Sequence, residues 1–254
     1  MSFAITASTT EKIAYARQLA KNLDLVYVDP LSPKVDYHYL IVVTNEYIGI
    51  QPAIETKAAP FYIDFNNNKL LYRLQHISLR KELIARAIGA KPREQCRIID
   101  ATAGLGRDGL ILAALGFKVA LLERSPILYL MLKDGMDRAK QVAQLTSIIK
   151  RMELIHADAI HWLSKLAPAE RPDIIYLDPM FPERQKSALV KKEMVLLQNI
   201  IGKDIDAEAL LKTALTCAVK RVVVKRSRLS PNIGDITPNF TITGKKNRFD
   251  VYLT

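Results

Sequence analysis

Cysteine and histidine are scarce in this sequence. Its 254 residues include two cysteines, Cys96 and Cys217, and four histidines, and their spacing matches no metal-ligand set. We therefore expect no bound metal. Two separated cysteines do not make a disulfide framework, so a reducing cytoplasm is the expected compartment.

Long apolar runs are also missing. No stretch approaches the roughly 18 consecutive apolar residues that a membrane-spanning helix needs. The segment MSFAITASTTEK at the start has neither a basic beginning nor an apolar centre, so no secretory signal is predicted. We expect no membrane partner.

Apolar content and positive charge are what the sequence does have. Hydrophobic residues make up 49%, which is enough for a sizeable α/β core. Lysine and arginine number 37 against 26 acidic residues, a net charge of +11. Such a charge favours a nucleic-acid partner, because binding releases counterions from phosphates. Charge alone does not exclude a generically basic protein.

Residues 1–77 are expected to form a small α+β unit. The pattern predicts a helix over Glu11–Lys21 and a strand over Leu25–Val28. A hairpin is predicted from Tyr39–Val43 and Tyr47–Ile50.

Two further elements are predicted near the end of this unit. Phe61–Asp64 and Leu70–Arg73 flank three asparagines, which are typical turn residues, so a second hairpin is expected. A helix is then expected from Ser78 to Ile88, ended by Gly89.

From Arg97 onward, short apolar runs alternate with helical segments, and we assign residues 78–254 to one domain. The predicted strands are Arg97–Asp100, Val119–Glu123, Glu153–His156, Ile174–Asp178 and Arg221–Lys225. The predicted helices are Asp108–Leu115, Ile127–Arg138, Ile160–Leu166 and Ala207–Val219. A closing hairpin is predicted from Phe240–Thr243 and Arg248–Leu253. A doubly wound α/β sheet that ends in an antiparallel hairpin is the Rossmann-like outline of class I methyltransferases.

A glycine loop follows the first of these strands. Residues 97–109 read RIIDATAGLGRDG, so Gly104, Gly106 and Gly109 match G-x-G-x-x-G between a strand and a helix. Sites for nicotinamide, flavin and S-adenosylmethionine all use this turn, so the match alone does not choose among them.

The charge around the loop favours S-adenosylmethionine. A dinucleotide brings an anionic pyrophosphate to the helix N-terminus, where a carboxylate would repel it. Here Asp100 ends the strand and Asp108 lies in the first helical turn. S-adenosylmethionine has no phosphate and carries a sulfonium and an ammonium group, which suit these carboxylates. Asp108 could also serve only the helix dipole.

Further cofactor contacts are expected at the ends of the next two strands. Glu123 ends the second strand, where an acidic residue accepts hydrogen bonds from ribose hydroxyls. Arg124 could lie along the adenine or face solvent. After the third strand, Asp158 is as well explained by capping a helix as by ligand contact, and His156 is expected to be structural.

The most informative motif follows the fourth strand. Asp178-Pro179-Met180-Phe181 resembles the (Asp/Asn)-Pro-Pro-(Phe/Tyr) motif of methyltransferases that act on exocyclic amines. The lone pair of such an amine is delocalised into the base. Asp178 and the Pro179 carbonyl could accept its two hydrogens and direct the lone pair at the methyl group. Phe181 offers a stacking face for a flipped base, or else belongs to the core.

Longer stretches resemble the ribosomal RNA small subunit methyltransferase J family, which methylates a guanine at N2 in 16S ribosomal RNA. The stretches that carry the resemblance are 100–108 (DATAGLGRD), 122–124 (LER), 176–182 (YLDPMFP), 185–194 (QKSALVKKEM), 221–226 (RVVVKR) and 248–250 (RFD). One segment departs from it: relatives have a glycine-rich run where this chain has QHISLR, residues 75–80. The role of the N-terminal unit is therefore open.

The resemblance implies which residues hold S-adenosylmethionine. The implied contacts are Arg107, Asp108, Glu123, Arg124 and Asp178, followed less closely by Asp158 and Ala159. It also implies 16S ribosomal RNA or the small ribosomal subunit as the partner.

Basic residues cluster beside the expected site. Lys186, Lys191 and Lys192 follow the Asp178 motif, and Lys225 and Arg226 end the fifth strand. Because the carboxyl ends of the strands form the ligand edge of such a sheet, these five residues are predicted to contact RNA. A solvated basic face is the alternative for each of them.

Other functions remain open at this point. The motif alone does not choose the base, so an adenine- or cytosine-amine methyltransferase acting on RNA or DNA is the nearest alternative. A nicotinamide-dependent oxidoreductase is disfavoured by Asp100 and by the Asp178 motif. A catalytically silent RNA-binding protein is disfavoured by the intact glycine loop.

Overall fold

Two β-sheets organise the part of the chain that the computed structural model describes, which is residues 1–30, 36–54, 59–92, 96–179 and 206–254. The smaller sheet has the strand order β2-β1-β3-β4. Its strands are β1 (Phe3–Ala7), β2 (Val26–Tyr27), β3 (Tyr39–Val43) and β4 (Ile48–Pro52). Helix α1 (Ile13–Asn22) connects β1 and β2, so the predicted first helix, strand and hairpin are confirmed.

The predicted second hairpin is wrong. Residues Asn68–Gln75 form helix α2 instead of a strand. The asparagines act at the start of this helix, where the Asn67 side chain accepts a hydrogen bond from the Leu70 amide at 3.0 Å. Turn residues and helix caps share a composition, and here the cap formed.

The helix predicted to start at Ser78 begins later. Helix α3 spans Leu83–Ile88, and Ser78 instead opens a turn whose carbonyl accepts from the Lys81 and Glu82 amides. Its predicted end is confirmed, because Gly89 has φ +64° in the left-handed region.

The larger sheet has the strand order β10-β11-β9-β8-β5-β6-β7. Its strands are β5 (Arg97–Asp100), β6 (Lys118–Glu123), β7 (Met152–His156), β8 (Ile174–Leu177), β9 (Arg221–Ser227), β10 (Phe240–Thr243) and β11 (Asn247–Leu253). Strands β5 to β9 pair in parallel, and β11 pairs antiparallel with β9 and β10. This is the doubly wound sheet with a closing hairpin that the sequence predicts.

Besides α3, which packs against β9, β10 and β11, five helices accompany this sheet in the described residues. They are α4 (Arg107–Ala114), α5 (Pro126–Ala139), α6 (Ala143–Ile149), α7 (Ala159–Ser164) and α8 (Ala207–Cys217). The sequence analysis did not predict α6. None of the helices in the described ranges is long and apolar enough to cross a membrane.

Alternate residues of the parallel strands feed two hydrophobic clusters, one on each face of the sheet. Ile98 joins the cluster that includes residues of α4, α5 and α6, whereas Ile99 joins the cluster of α7 and α8. In β8, Tyr176 belongs to the first of these clusters and Ile175 to the second. Helices on both faces bury these strands, which explains their near-continuous apolar sequences.

The first cluster also contains residues of the small sheet, including Ile5, Ile41 and Ile50. Helix α5 makes the closest approach, because a Cβ added at Gly135 would lie 2.9 Å from the Ile63 carbonyl oxygen. Arg138 also donates to that carbonyl. The division at residue 77 stays a prediction, but the two units share one packed core.

Candidate active site

The carboxyl ends of β5 and β8 lie side by side at the centre of the larger sheet. After β5 the chain continues into α4, which packs on one face of the sheet. After β8, the next helix in the described residues is α8, and it packs on the other face. A crevice forms where neighbouring connections diverge in this way, and ligands of open α/β sheets bind there.

A cleft of about 560 Å³ occupies this crevice. It is lined by Ala101, Thr102, Gly104, Leu122, Glu123, Arg124, Ala157, Asp158, Ala159, Ile160, Asp178, Asp206, Ala207 and Leu210. The lining combines apolar walls with a few carboxylates, as small-molecule sites usually do.

The two first glycines of the loop have different roles. Both adopt left-handed backbone, with φ +53° at Gly104 and +68° at Gly106. Among the described residues, a Cβ added at Gly104 would meet only the Thr102 carbonyl, at 3.8 Å, so in this part of the chain nothing covers the backbone on the cleft side. A Cβ at Gly106 would lie 2.7 Å from Leu132, so this glycine serves close packing.

Glu123 fixes the loop against the end of β6. Its carboxylate accepts from the Gly104 amide at 2.9 Å and from the Ser125 amide at 2.7 Å, and the residue is 5% exposed. Each carboxylate oxygen has two lone pairs, so capacity remains for ribose hydroxyls.

Two residues of the cleft are joined across it. Arg124 Nη1 lies 2.6 Å from Asp206 Oδ2, just before α8.

Asp158 caps α7 by accepting from the His161 amide at 2.9 Å while it also lines the cleft. Both explanations of Asp158, cap and cleft residue, therefore agree with its position.

A cluster of charges lies beside the cleft. Lys225 Nζ donates to Asp108 Oδ2 at 2.6 Å and to Asp178 Oδ2 at 2.8 Å. The buried Tyr176 hydroxyl donates to the same Asp108 oxygen at 2.7 Å. Lys225 therefore links Asp108, in the first turn of α4, to Asp178, which follows β8.

Asp100 lies buried beneath this cluster, 2% exposed, with its carboxylate accepting from the Thr102 amide at 3.1 Å. Burial, and next the neighbouring Asp108 carboxylate, raise the pKa of Asp100 to about 8. Burial lowers the pKa of Lys225, but the charges of Asp178 and Asp108 outweigh it, so this pKa is raised. Lys225 is therefore held as a cation between two carboxylates.

Comparison with known proteins decides the family. A model of the SAM-dependent methyltransferase family matches residues 34–254. The ribosomal RNA small subunit methyltransferase J of Thioalkalivibrio sulfidiphilus is 45% identical over 241 residues, 94% of this chain and 92% of the relative. The protein of that name from Nitrosococcus oceani is 42% identical over 251 residues, 98% of each chain. The chain belongs to the ribosomal RNA small subunit methyltransferase J family.

A solved structure agrees with this assignment. The crystal structure of a SAM-dependent methyltransferase from Neisseria gonorrhoeae is 30% identical to this chain, with a TM-score of 0.75, and the match covers 98% of this chain and 95% of that one. The protein is thus a class I methyltransferase whose cofactor is S-adenosylmethionine.

The cleft of this methyltransferase fits that cofactor. Apolar side chains such as Leu122, Ile160 and Leu210 suit an adenine ring, and Glu123 lies where ribose hydroxyls would be held. The carboxylates nearby suit the positive charge of a sulfonium and an ammonium group, and would repel the pyrophosphate of a dinucleotide. No group of three or more metal-binding side chains is found in the described residues.

The predicted cofactor residues are brought together, but at different depths. Gly104, Glu123, Arg124, Asp158, Ala159 and Asp178 line the cleft. Asp100 and Gly106 lie buried behind the loop, whereas Arg107 begins α4 and is exposed. Asp108 lies on the Lys225 side of the loop. Direct contact with the cofactor stays a prediction for all ten residues.

The predicted RNA-binding residues divide into two sets. Lys186, Lys191 and Lys192, together with the predicted stacking residue Phe181, lie outside the described residues. Lys225 has the two carboxylate partners given above. Arg226 is 4% exposed and donates to the Pro231 carbonyl at 2.6 Å, so its guanidinium lies inside the protein. RNA contact by Lys225 or Arg226 is therefore not what these positions favour.

Sequence reasoning missed two residues of the site. Thr102 accepts a hydrogen bond from the Asp178 amide at 2.6 Å and so joins the glycine loop to the residue after β8. Its position inside the loop motif was the available signal. Asp206 reaches Arg124 only through the tertiary fold, and no local pattern indicates it.

Proposed function

We propose that the protein transfers a methyl group from S-adenosylmethionine to the exocyclic N2 of a guanine in 16S ribosomal RNA. The observation that carries this proposal is the position of Asp178. It follows β8, lines the cofactor cleft, and has a side chain that is 39% exposed and ion-paired with Lys225. The relatives named ribosomal RNA small subunit methyltransferase J support the choice of RNA.

Asp178 and Pro179 are proposed to hold the amine. The amine lone pair is delocalised into the purine, so the group reacts only when it is oriented and polarised. The Asp178 carboxylate and the Pro179 carbonyl would accept its two hydrogens and leave the lone pair directed into the cleft. When bound, S-adenosylmethionine supplies an electrophilic methyl group on a cationic sulfur. Asp178 would accept the proton that the amine loses when it is methylated.

Lys225 and Thr102 are proposed as positioning residues for this step. Lys225 donates to one carboxylate oxygen of Asp178, Oδ2, and so fixes the orientation of that carboxylate. Thr102 holds the backbone of the same residue. Two contacts on one residue restrict its rotation, and such preorganisation is a main source of catalytic rate.

The target base rests on family membership. The motif at Asp178 would serve an adenine or cytosine amine equally well, so these bases remain the alternative. We further propose that the substrate is either the ribosomal RNA itself or the small ribosomal subunit, and that the enzyme acts in the cytoplasm, where such particles are assembled.

The test is methyl transfer to ribosomal RNA, followed by mass spectrometry of its nucleosides. Wild-type protein should produce N2-methylguanosine in 16S ribosomal RNA from a deletion strain. Asp178→Ala should reduce the single-turnover rate by a factor of about 100 or more, because the amine loses its acceptor. Cofactor affinity, measured by calorimetry, should fall much less.

Asp235→Ala is the matched control, since Asp235 is an exposed carboxylate outside the cleft. It should keep the wild-type rate. Methylated adenosine or cytidine in place of N2-methylguanosine would refute the base. A folded Asp178→Ala protein with near wild-type transfer would refute the mechanism.

A further inference from the structure

Helix α2 presents an exposed face that combines cations with aromatic rings. Lys69, Tyr72, Arg73 and His76 follow the spacing i, i+3, i+4, i+7, which places them on one side of a helix. All four are exposed, and Tyr72 is 66% exposed. The Tyr72 and His76 rings lie side by side with centroids 4.3 Å apart and planes tilted by 34°.

The exposed rings on this face of α2 do not result from a failure of the helix to bury its apolar side. The opposite side of α2 carries Leu70, Leu71 and Leu74, which pack against the main hydrophobic cluster, as does Ile77. The helix has therefore already buried its apolar side. An exposed aromatic ring among cations is the combination on which proteins stack the bases of single-stranded nucleic acid.

The charge of this segment is of one sign. Residues 65–81 contain Lys69, Arg73, Arg80 and Lys81 and no acidic residue. By contrast, residues 1–77 as a whole hold seven basic and seven acidic residues. Residues 1–64 alone hold five basic and seven acidic residues, so the positive charge of this region is concentrated in α2 and the turn after it.

The segment that leads into α2 lies close to the glycine loop. Phe65, just before α2, approaches the glycine loop, because a Cβ added at Gly106 would lie 3.2 Å from its ring. Arg73 forms an ion pair with Glu82 at 2.7 Å, and that bond, and more weakly the nearby Asp108 carboxylate, raise its pKa. Asp108 is the partner of Lys225, so α2 borders the charge cluster at Asp178.

We propose that the exposed face of α2, with Tyr72 and His76 as a stacking platform and Lys69, Arg80 and Lys81 around it, binds a single-stranded segment of the substrate RNA next to the target base. This proposal rests on the proposed RNA methyltransferase function and gives the N-terminal unit a part in it. A base can stack on the exposed Tyr72 ring while phosphates contact the surrounding cations, a combination found in single-strand binding sites. An acidic protein would be attracted by the same charge but has no need of an exposed aromatic ring on which a base can stack.

The ring is tested with Tyr72→Ala, Tyr72→Phe and the control Tyr15→Ala. Tyr15 is an exposed tyrosine of α1, 48% exposed, and is not part of the face. Tyr72→Ala should raise the KM for RNA about tenfold, near the lower end of what stacking on one base contributes. Its kcat and its affinity for S-adenosylmethionine should stay within about twofold of wild type. Tyr72→Phe keeps the ring and should behave like wild type, as should Tyr15→Ala.

The cations are tested by salt dependence. Lys69→Ala/Lys81→Ala should reduce the slope of log affinity against log salt by about 1.5, because each lost phosphate contact removes roughly 0.7–0.9. Lys21→Ala/Lys150→Ala, two exposed lysines outside the α2 face, is the matched control and should keep the wild-type slope.

The outcomes separate this proposal from the function on which it rests. If wild-type protein does not methylate RNA, the proposed function fails. If it does, and Tyr72→Ala has the KM of wild type, the α2 face is not an RNA-binding surface. A Tyr72→Ala protein that melts markedly earlier would assign the ring to the fold, and one whose oligomeric state differs from that of wild type would assign it to a contact with a second copy of the chain; either result would also overturn the proposal.

Discussion

At the level of residues, the buried carboxyl group of Asp100 shows how the surroundings of the site change the protonation of a side chain. Asp100 is buried beneath the glycine loop, near Asp108, Asp178 and Lys225. With its pKa raised to about 8, this carboxyl is largely protonated at neutral pH, while Lys225 is positive. A cationic ligand nearby would favour the ionised form of Asp100, so cofactor binding should release a proton from it.

The same residue should govern part of the pH dependence of stability. In the unfolded chain an aspartic acid loses its proton near pH 4, whereas folded Asp100 keeps it to about pH 8. The folded state binds more protons between these values, so stability falls as pH rises from about 4 to about 8. Asp100→Asn does not ionise and should lack this loss. Thermal melts without cofactor should show the melting temperature of Asp100→Asn, relative to wild type, increasing from pH 5 to pH 8.

Asp235→Asn is the control for that series, because it removes an exposed carboxyl group. Its melting temperature should run parallel to that of wild type. If Asp100→Asn also runs parallel, the buried carboxyl does not carry the raised pKa.

Individual residues of the site were predictable where chemistry fixes their type. Asp178 follows the apolar strand β8 and precedes a proline, and Glu123 ends the apolar strand β6, so their place at the ligand edge could be deduced from sequence. Lys225 was expected on an RNA surface, because its charge is visible in the sequence but its partners are not. It lies 117 residues from Asp108 along the chain, and only the sheet order brings the two together.

At the level of elements, buried strands were easier to predict than helix boundaries. The strands of the larger sheet are short apolar runs, and parallel strands covered on both faces have no other sequence pattern. The segment 61–75 was wrongly predicted as a hairpin, because asparagine is common both in turns and at the N-caps of helices. Helix α6 was missed, although Leu145 and Ile149 lie four residues apart and are both fully buried.

Helix α5 is the element that joins the two units, and Gly135 is the residue that permits it. An alanine there would gain about 1 kcal/mol of helix propensity. However, its Cβ would lie 2.9 Å from the Ile63 carbonyl oxygen and 3.0 Å from its side chain. Overpacking of this kind costs about 1–3 kcal/mol, and a backbone atom cannot rotate away. We expect Gly135→Ala to lower the free energy of unfolding by about 1 kcal/mol in urea titrations.

Lys133→Ala tests helix propensity in the same helix, since Lys133 is exposed and pairs only at the surface with Asp137 in the described structure. It should change the free energy of unfolding by less than about 0.5 kcal/mol. A Gly135→Ala protein that is more stable than wild type would show that the two units have room to separate.

At the level of the whole molecule, charge is unevenly distributed. Residues 1–77 are neutral in sum, so the entire net charge of +11 belongs to residues 78–254. Composition could reveal a polyanionic partner but not its direction of approach. The fold adds that direction, because it places the cofactor cleft at the carboxyl edge of the larger sheet.

RNA affinity should therefore depend steeply on salt. If about five cations neutralise phosphates, the affinity should fall roughly 100-fold between 50 and 200 mM salt. Lys191→Glu/Lys192→Glu should weaken RNA binding further and leave calorimetric cofactor affinity nearly unchanged. Equal RNA affinity at both salt concentrations, or an unaltered double variant, would contradict an electrostatic interface.

The packing of Ile63 and Phe65 has a consequence for synthesis on the ribosome. These side chains are 4% and 2% exposed, and they contact Gly135 of α5 and Gly106 of the glycine loop. Gly106 and Gly135 are translated after Ile63 and Phe65. Helix α5 is made only after β5, α4 and β6. A nascent chain that ends before α5 therefore holds this apolar surface exposed. Final packing of the N-terminal sheet must wait for the middle of the protein to emerge, so the first unit translated completes its fold late.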